Sequence, residues 1–285
     1  MSRDLPTVAI TGATGALGGA VARALQAGGM PLRLLVRSVA RAPHLAGAVV
    51  LPCAYSDRSA ADVALEGVET LFMVSASESA DRVDEHRDFI DAARAAGVGH
   101  IVYTSFLGAA PDATFTLARD HYATEEMIRA AGVGFTFLRD SLYTDFMAAL
   151  VGDDGAIRGP AADGRVAIVT RADIARVATS VMADPAAHRD VTYDVTGPEA
   201  LSMDEIARLL SKAGDRSVVF HDESVTEAYE SRRRWAAPSW QNDAWVSTYT
   251  AIASGELSTV STDVHRVTGR LPMSLQEFLV ESTPG

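Results

Sequence analysis

The stretch Thr7-Val8-Ala9-Ile10-Thr11-Gly12-Ala13-Thr14-Gly15-Ala16-Leu17-Gly18-Gly19 decides how this chain is read. Thr7 to Ile10 is an apolar run of strand character, Gly12, Gly15 and Gly18 follow in a G-x-x-G-x-x-G spacing, and an alanine-rich segment continues with Val21 and Leu25 at helical period. A strand, a tight turn and a helix therefore succeed one another. In that order Gly12 lets the chain turn sharply, Gly15 lets backbone approach a diphosphate, and Gly18 lets the helix pack close to the strand. The helix N-terminus then offers free N–H groups to an anion. Any tight turn between strand and helix can use glycine. Here the position on the first strand, and a second strand-like run at Leu32 to Val36, favour a dinucleotide site.

Working outward, strand-like runs recur at Val49 to Leu51, Thr70 to Ser75, His100 to Ser105 and Phe135 to Leu138, with helical stretches between them such as Asp81 to Ala96 and Leu117 to Ala131. Such alternation predicts an α/β fold: a doubly wound parallel sheet with helices on both faces and ligands at the carboxyl ends of the strands. Residues 1–150 read as the nucleotide-binding domain and 151–285 as a smaller lobe packed on it, for the substrate. Gly152 to Gly164, rich in Gly and Asp, reads as a loop leaving the first half. Beyond it, Arg165 to Val169 reads as a strand and Asp173 as the N-cap of a helix over 174–182. Val191 to Thr196 is another strand, Ser202-x-x-Glu205 a capping box, and Val218 to His221 a last strand. Trp235, Trp240, Trp245 and Tyr249 stand at helical spacing, as core or as a wall for a flat substrate.

Composition bounds the partners. The 285 residues are 48% hydrophobic and 22% charged, as in globular water-soluble proteins, and no apolar run is long enough to span a bilayer. Met1-Ser2-Arg3-Asp4 leads straight into the first strand, which predicts no secretory leader and a cytoplasmic protein. The single cysteine, Cys53, excludes an intrachain disulfide, and the scattered histidines predict no metal site. A net charge of −12 speaks against nucleic acid, and the short cluster Arg232 to Arg234 reads as a solvated helix face. The oligomeric state is open, a homodimer included.

The strand ends supply candidate residues. Arg37-Ser38 closes the second strand, where an acidic side chain would favour NAD and a guanidinium suits a 2′-phosphate; NADPH is the predicted cofactor, against the plainer reading of a surface arginine. Asp57 can reach the adenine amino group, cap the following helix, or both. Val74, Ser75 and Ser77 after the fourth strand are small enough to let ribose and diphosphate lie close. Thr104 and Ser105, ending the fifth, should flank the nicotinamide. Ser105 is then a candidate donor to a substrate oxygen, or a hydroxyl spent on local backbone. With Gly12, Thr14, Gly15, Leu17 and Gly18, these residues make the expected cofactor set.

These features resemble the atypical short-chain dehydrogenase/reductases, and within them the NmrA-like group that includes NAD(P)H:quinone oxidoreductases. The resemblance rests on Thr11-Gly12-Ala13-Thr14-Gly15-x-x-Gly18, Leu35-Val36-Arg37, Leu71 to Ser75, and Glu125 followed by Gly132 to Arg139. Tyr193 to Pro198 and Thr268-Gly269-Arg270-x-Pro272 through Phe278 extend it over nearly the whole chain. It implies a Rossmann-type sheet and a nicotinamide cofactor. The wider superfamily places Tyr-x-x-x-Lys after the fifth strand, where tyrosine protonates the substrate oxygen. Here Lys212 is the only lysine and Arg208 lies four residues before it, so the pair is absent from the entire chain. Matched to the family pattern, Leu117 takes the tyrosine position and His121 the lysine position.

Loss of that acid bears on the acceptor. Reducing an ordinary ketone builds a strongly basic alkoxide, whereas hydride addition to a quinone builds a delocalised, weakly basic phenolate. The expectation is an NADPH-dependent oxidoreductase acting on a quinone-like or similarly conjugated, small aromatic acceptor. His121 is its candidate proton donor, ribose contact or water-orienting group, unless it is an ordinary hydrogen-bonded helix residue. Tyr143 and Phe146 are candidates for the substrate wall or for core. Two rivals share the cofactor: a redox sensor that binds NADP(H) without turnover, and a reductase of a biosynthetic alkene, imine or carbonyl.

Overall fold

Val8–Thr11 forms β1, and the chain continues through α1 (Ala16–Ala27), β2 (Arg33–Val36), β3 (Val49–Pro52), α2 (Arg58–Leu65), β4 (Thr70–Met73), α3 (Arg82–Ala95), β5 (His100–Phe106), α4 (Thr116–Ala130) and β6 (Gly134–Asp140). Then come β7 (Ala156–Gly159), β8 (Arg165–Val166), α5 (Arg171–Ala183), β9 (Val191–Val195), β10 (Leu201–Ser202), α6 (Met203–Ala213) and β11 (Val219–Asp222). The helices α7 (Val225–Arg232), α8 (Ser239–Ala253), α9 (Asp263–Thr268) and α10 (Leu275–Ser282) complete the chain. The computed structural model describes residues 5–214 and 216–282. Met1 to Asp4, on which the expectation of no leader rests, lie outside the described residues.

Seven strands form one sheet in the order β3-β2-β1-β4-β5-β6-β9. Parallel register runs from β3 to β5, with Ile10 opposite Leu34 on one side and Phe72 on the other. The order reverses at β1: β2 and β3 extend the sheet one way and β4 onward the other. A crevice opens at such a switch point, beyond the carboxyl ends of the strands. Every residue of β2 and β4 is buried, as in strands covered by helices on both faces. Arg33 lies in that layer at 1% exposure because its Nη1 donates to the carbonyls of Ala64 and Glu66, both at 2.8 Å, at the end of α2.

The chain divides into two units that interleave in sequence. One comprises Met1–Ser105, Asp120–Arg139 and Ile174–Tyr193, and its core gathers Ala9, Leu35, Leu71, Phe89, Ile101 and Phe137. The other comprises Phe106–Arg119, Asp140–Asp173 and Asp194–Gly285, and its separate core includes Phe115, Ile157, Val166, Ile206 and Tyr249. No described helix is long and apolar enough to cross a membrane.

Several local expectations change. The Gly152 to Gly164 loop contains β7, which pairs in parallel with β11 through Ile157 and Phe220; a short strand between glycines carries too little periodicity to be read. Asp173 does not cap α5. Thr170 does, its Oγ1 accepting from Asp173 N at 3.0 Å, while Asp173 Oδ2 accepts from Thr170 Oγ1 at 2.7 Å. Of the arginine cluster, Arg232 is buried: its Nη1 meets Glu223 at 3.0 Å and its guanidinium lies over the Tyr249 ring. Tyr249 joins the core, but Trp235 is 53% exposed and stands edge-on to Trp245. The Ser202–Glu205 capping box forms as read, with both of its hydrogen bonds.

Candidate cofactor and active site

The glycine loop has the geometry its spacing requires. Gly12 sits at φ +65°, in the region that only glycine enters readily, directly after β1. A Cβ on Gly18 would come within 2.5 Å of the Gly12 carbonyl oxygen, so a side chain there would push α1 off β1. Gly15 is the N-cap of α1; no side chain caps it and the first turn holds no acidic residue, which leaves the helix's N–H groups for an anion. Thr14 and Gly15 are exposed, whereas the Leu17 side chain is buried, so only its backbone is available.

Across the switch point, the segment after β4 is tied down by side chains instead of by a strand. Val74 N donates to Thr11 Oγ1 at 2.9 Å, Ser75 N to Thr104 Oγ1 at 2.8 Å, and Ala76 N to His86 Nε2 at 2.9 Å. Three successive N–H groups thus meet acceptors from β1, β5 and α3. Tyr55, stacked on Phe89, donates its hydroxyl to the Val74 carbonyl at 2.5 Å. A Cβ on Gly12 would lie 2.9 Å from that of Val74, so the two loops approach as closely as glycine allows. Ser77 follows on the surface.

Behind this segment lies a buried polar cluster. Arg82 Nη2 lies 2.8 Å from His121 Nε2, and since guanidinium only donates, that nitrogen is the acceptor and Nδ1 carries the hydrogen, facing Tyr103 Oη at 3.0 Å. Burial, then the Arg82 charge, push the His121 ring well below the ordinary histidine range. His86 is held the same way: Nε2 accepts from Ala76 N, and Nδ1 faces Thr124 Oγ1 at 2.8 Å, whose own hydrogen goes to the Asp120 carbonyl. Burial and Arg82 bring His86 down to about 3. Both shifts favour the neutral form of the ring.

Ser105 lies beside a buried carboxylate. Its Oγ donates to Glu125 Oε1 at 2.6 Å, and Glu125 also receives Arg139 Nε at 2.8 Å, Arg139 Nη2 at 2.7 Å and Arg129 Nη2 at 3.2 Å. At 0% exposure Ser105 touches no solvent, and its hydroxyl serves this network.

The remaining candidates divide. Arg37 is exposed directly after β2 and, among the described residues, makes no ion pair; Ser38 is half-buried beside it. Asp57 caps α2, accepting from Ala60 N at 3.0 Å. Tyr143 belongs to the other unit: its hydroxyl donates to Asp140 Oδ2 at 2.9 Å and Arg171 lies over its ring, while Phe146 nearby in sequence is 50% exposed. Among the described residues no group of three or more His, Cys, Asp or Glu side chains is placed to hold a metal ion. Tyr55, Arg82 and His86 went unread in the sequence; Tyr55 precedes the singled-out Asp57, and the two α3 residues show nothing locally that marks them.

A glycine loop at the switch point of a parallel sheet, feeding an uncapped helix, defines a dinucleotide-binding protein of the Rossmann class. The chain matches the NmrA-like family over residues 5–232, and it belongs to that family. It is 32% identical to quinone oxidoreductase 2 of Escherichia coli, over 95% of this chain and 96% of that protein. It is 30% identical to an NAD(P)H azoreductase of Xenophilus azovorans, again over 95% and 96%. The crystal structure of the NADPH-dependent quinone oxidoreductase from Escherichia coli, in complex with NADPH, superposes with a TM-score of 0.87 over 96% of this chain and 99% of that one.

Proposed function

We propose that this chain is an NADPH-dependent oxidoreductase that reduces quinones or comparably conjugated acceptors, the activity for which its quinone oxidoreductase relative is named. NADPH, when bound, supplies the hydride. The residues fit that group: Gly12 and Gly18 let the loop turn tightly and α1 lie close to β1, Gly15 leaves the N-terminus of α1 without a side chain, α1 presents N–H groups with no competing carboxylate, and Arg37 with Ser38 would meet a 2′-phosphate. Val74 to Ser77, which Thr104 holds through Ser75, would line the ribose side, and Asp57, which caps α2, would meet the adenine amino group.

The observation that carries the acceptor class is the burial of Ser105 and His121 with their polar atoms already engaged inside the protein. Neither offers a proton to an alkoxide as it forms. An acceptor whose reduced oxygen is delocalised into a ring needs no such donor, and water completes the reaction. In this reading His121 positions Tyr103 and the backbone at Thr104, and Tyr143 and Phe146 meet the aromatic acceptor. We infer a cytoplasmic protein whose negative charge is unsuited to nucleic acid, with the oligomeric state open, a homodimer included.

The test is cofactor oxidation by purified protein with and without a panel of quinones, beside an NADH control. Oxidation that depends on the quinone and prefers NADPH is the expected result. Tight NADPH binding with no oxidation across the panel would replace this reading by that of a sensor.

A further inference from the structure

The segment after β4 is held in an unusual manner for a loop. Its three leading N–H groups donate to three side chains from separate elements. Thr11 and Thr104 belong to strands adjacent to β4 in the sheet, and their places follow from the sheet itself. His86 does not: it stands on α3, beyond the loop it fastens, and reaches back ten residues to Ala76. Its ring also lies edge-on to Tyr55 at 5.7 Å, whose hydroxyl holds the Val74 carbonyl of the same loop.

The orientation of that ring is over-determined. Thr124 Oγ1 spends its hydrogen on the Asp120 carbonyl, so it accepts from His86 Nδ1–H, which leaves Nε2 bare for Ala76. The chain of donors runs in one direction from Ala76 through His86 and Thr124 to α4. At 0% exposure His86 touches nothing that enters from solvent, so it acts only through the loop.

We propose that His86 is a positioning residue for the nicotinamide cofactor: through the Ala76 N–H it fixes the loop on which the cofactor rests, and Thr124 sets the tautomer that makes this possible. The proposal rests on the reading of Val74 to Ser77 as part of the cofactor site. A residue serving stability alone would change melting temperature and leave the balance of kinetic constants as it was.

Three readouts separate the possibilities. In the unaltered protein, saturating NADPH should slow amide hydrogen exchange over residues 74–77. His86→Leu should raise the KM for NADPH by about tenfold, as the loss of one buried hydrogen bond entails, with kcat and the KM for a quinone changed by less than about twofold. His86→Gln, whose amide oxygen can take the place of Nε2, should recover most of the loss. Thr124→Val, which keeps the shape but removes the acceptor for Nδ1–H, should show the same KM effect in weaker form and stands in if His86→Leu does not fold. Absence of NADPH protection over 74–77 would overturn the cofactor reading of the loop, and this proposal with it. Protection together with an unchanged NADPH KM in folded His86→Leu and Thr124→Val would overturn the role of His86 alone.

Discussion

Arg82 and His121, 39 residues apart, meet at 2.8 Å between Nη2 and Nε2 with both side chains buried. The contact turns the most conspicuous catalytic candidate of the sequence into a neutral ring whose free lone pair is already taken. It follows that His121 does not titrate during turnover. The rate of quinone reduction, followed from pH 5.5 to 8, should show no step near 6.5. A step there that disappears in His121→Gln would show that the ring gains and loses a proton in the working enzyme.

The same neutrality makes folding stability depend on pH in a predictable direction. In the unfolded chain both histidines titrate near 6.5; in the folded protein burial and Arg82 hold His86 to about 3 and His121 well below its usual range. Between those values the unfolded state binds more protons, so the stability is fully present above about 6.5 and declines as pH falls. The two rings together should remove about 2–3 kcal/mol between pH 7 and pH 5.5. Urea midpoints at the two pH values measure it, and equal midpoints would mean that the rings are already protonated or reachable by water.

Arg37→Asp exchanges a free guanidinium for a carboxylate at the end of β2. The KM for NADPH should rise by about tenfold or more while NADH becomes relatively better, because a charge-assisted contact to the 2′-phosphate is replaced by repulsion. Equal effects on the two cofactors would remove Arg37 from the site.

Gly18→Ala introduces a Cβ that would sit 2.5 Å from the Gly12 carbonyl oxygen. Either α1 shifts or the loop opens, and both displace the N–H groups at the start of α1 that are proposed to receive the diphosphate. A stability loss of about 1–3 kcal/mol and a clear weakening of NADPH binding should appear together in thermal melts and titrations. Wild-type binding in this variant would show that the close approach of α1 to β1 is not needed.

How far the sequence carried these conclusions depended on the range of the interaction concerned. The positive φ of Gly12 and the close approach of Gly18 to Thr11 and Gly12 are local, and the spacing alone expresses them, whereas the approach of Gly12 to Val74 is not. Asp57 and the Ser202–Glu205 pair are legible for the same reason, since a cap is satisfied three residues on. Thr170 displaced Asp173 as a cap because both can accept from helix N–H groups and only the start of the helix decides between them. Arg33 and Arg232 look like surface charges in sequence, and become buried because carbonyls and Glu223 from other elements receive them. His86 is hidden most completely: its acceptor and donor partners lie 38 and 10 residues away, and its helix otherwise reads as a polar surface segment.

The central claim is that the protein reduces acceptors that need no proton from it. It is tested most directly by comparing NADPH oxidation with a quinone and with a saturated cyclic ketone of similar size, under saturating cofactor. The account predicts turnover with the quinone and none above background with the ketone. Comparable rates with both would contradict it, for they would require a proton donor that Ser105 and His121, buried and engaged, do not supply.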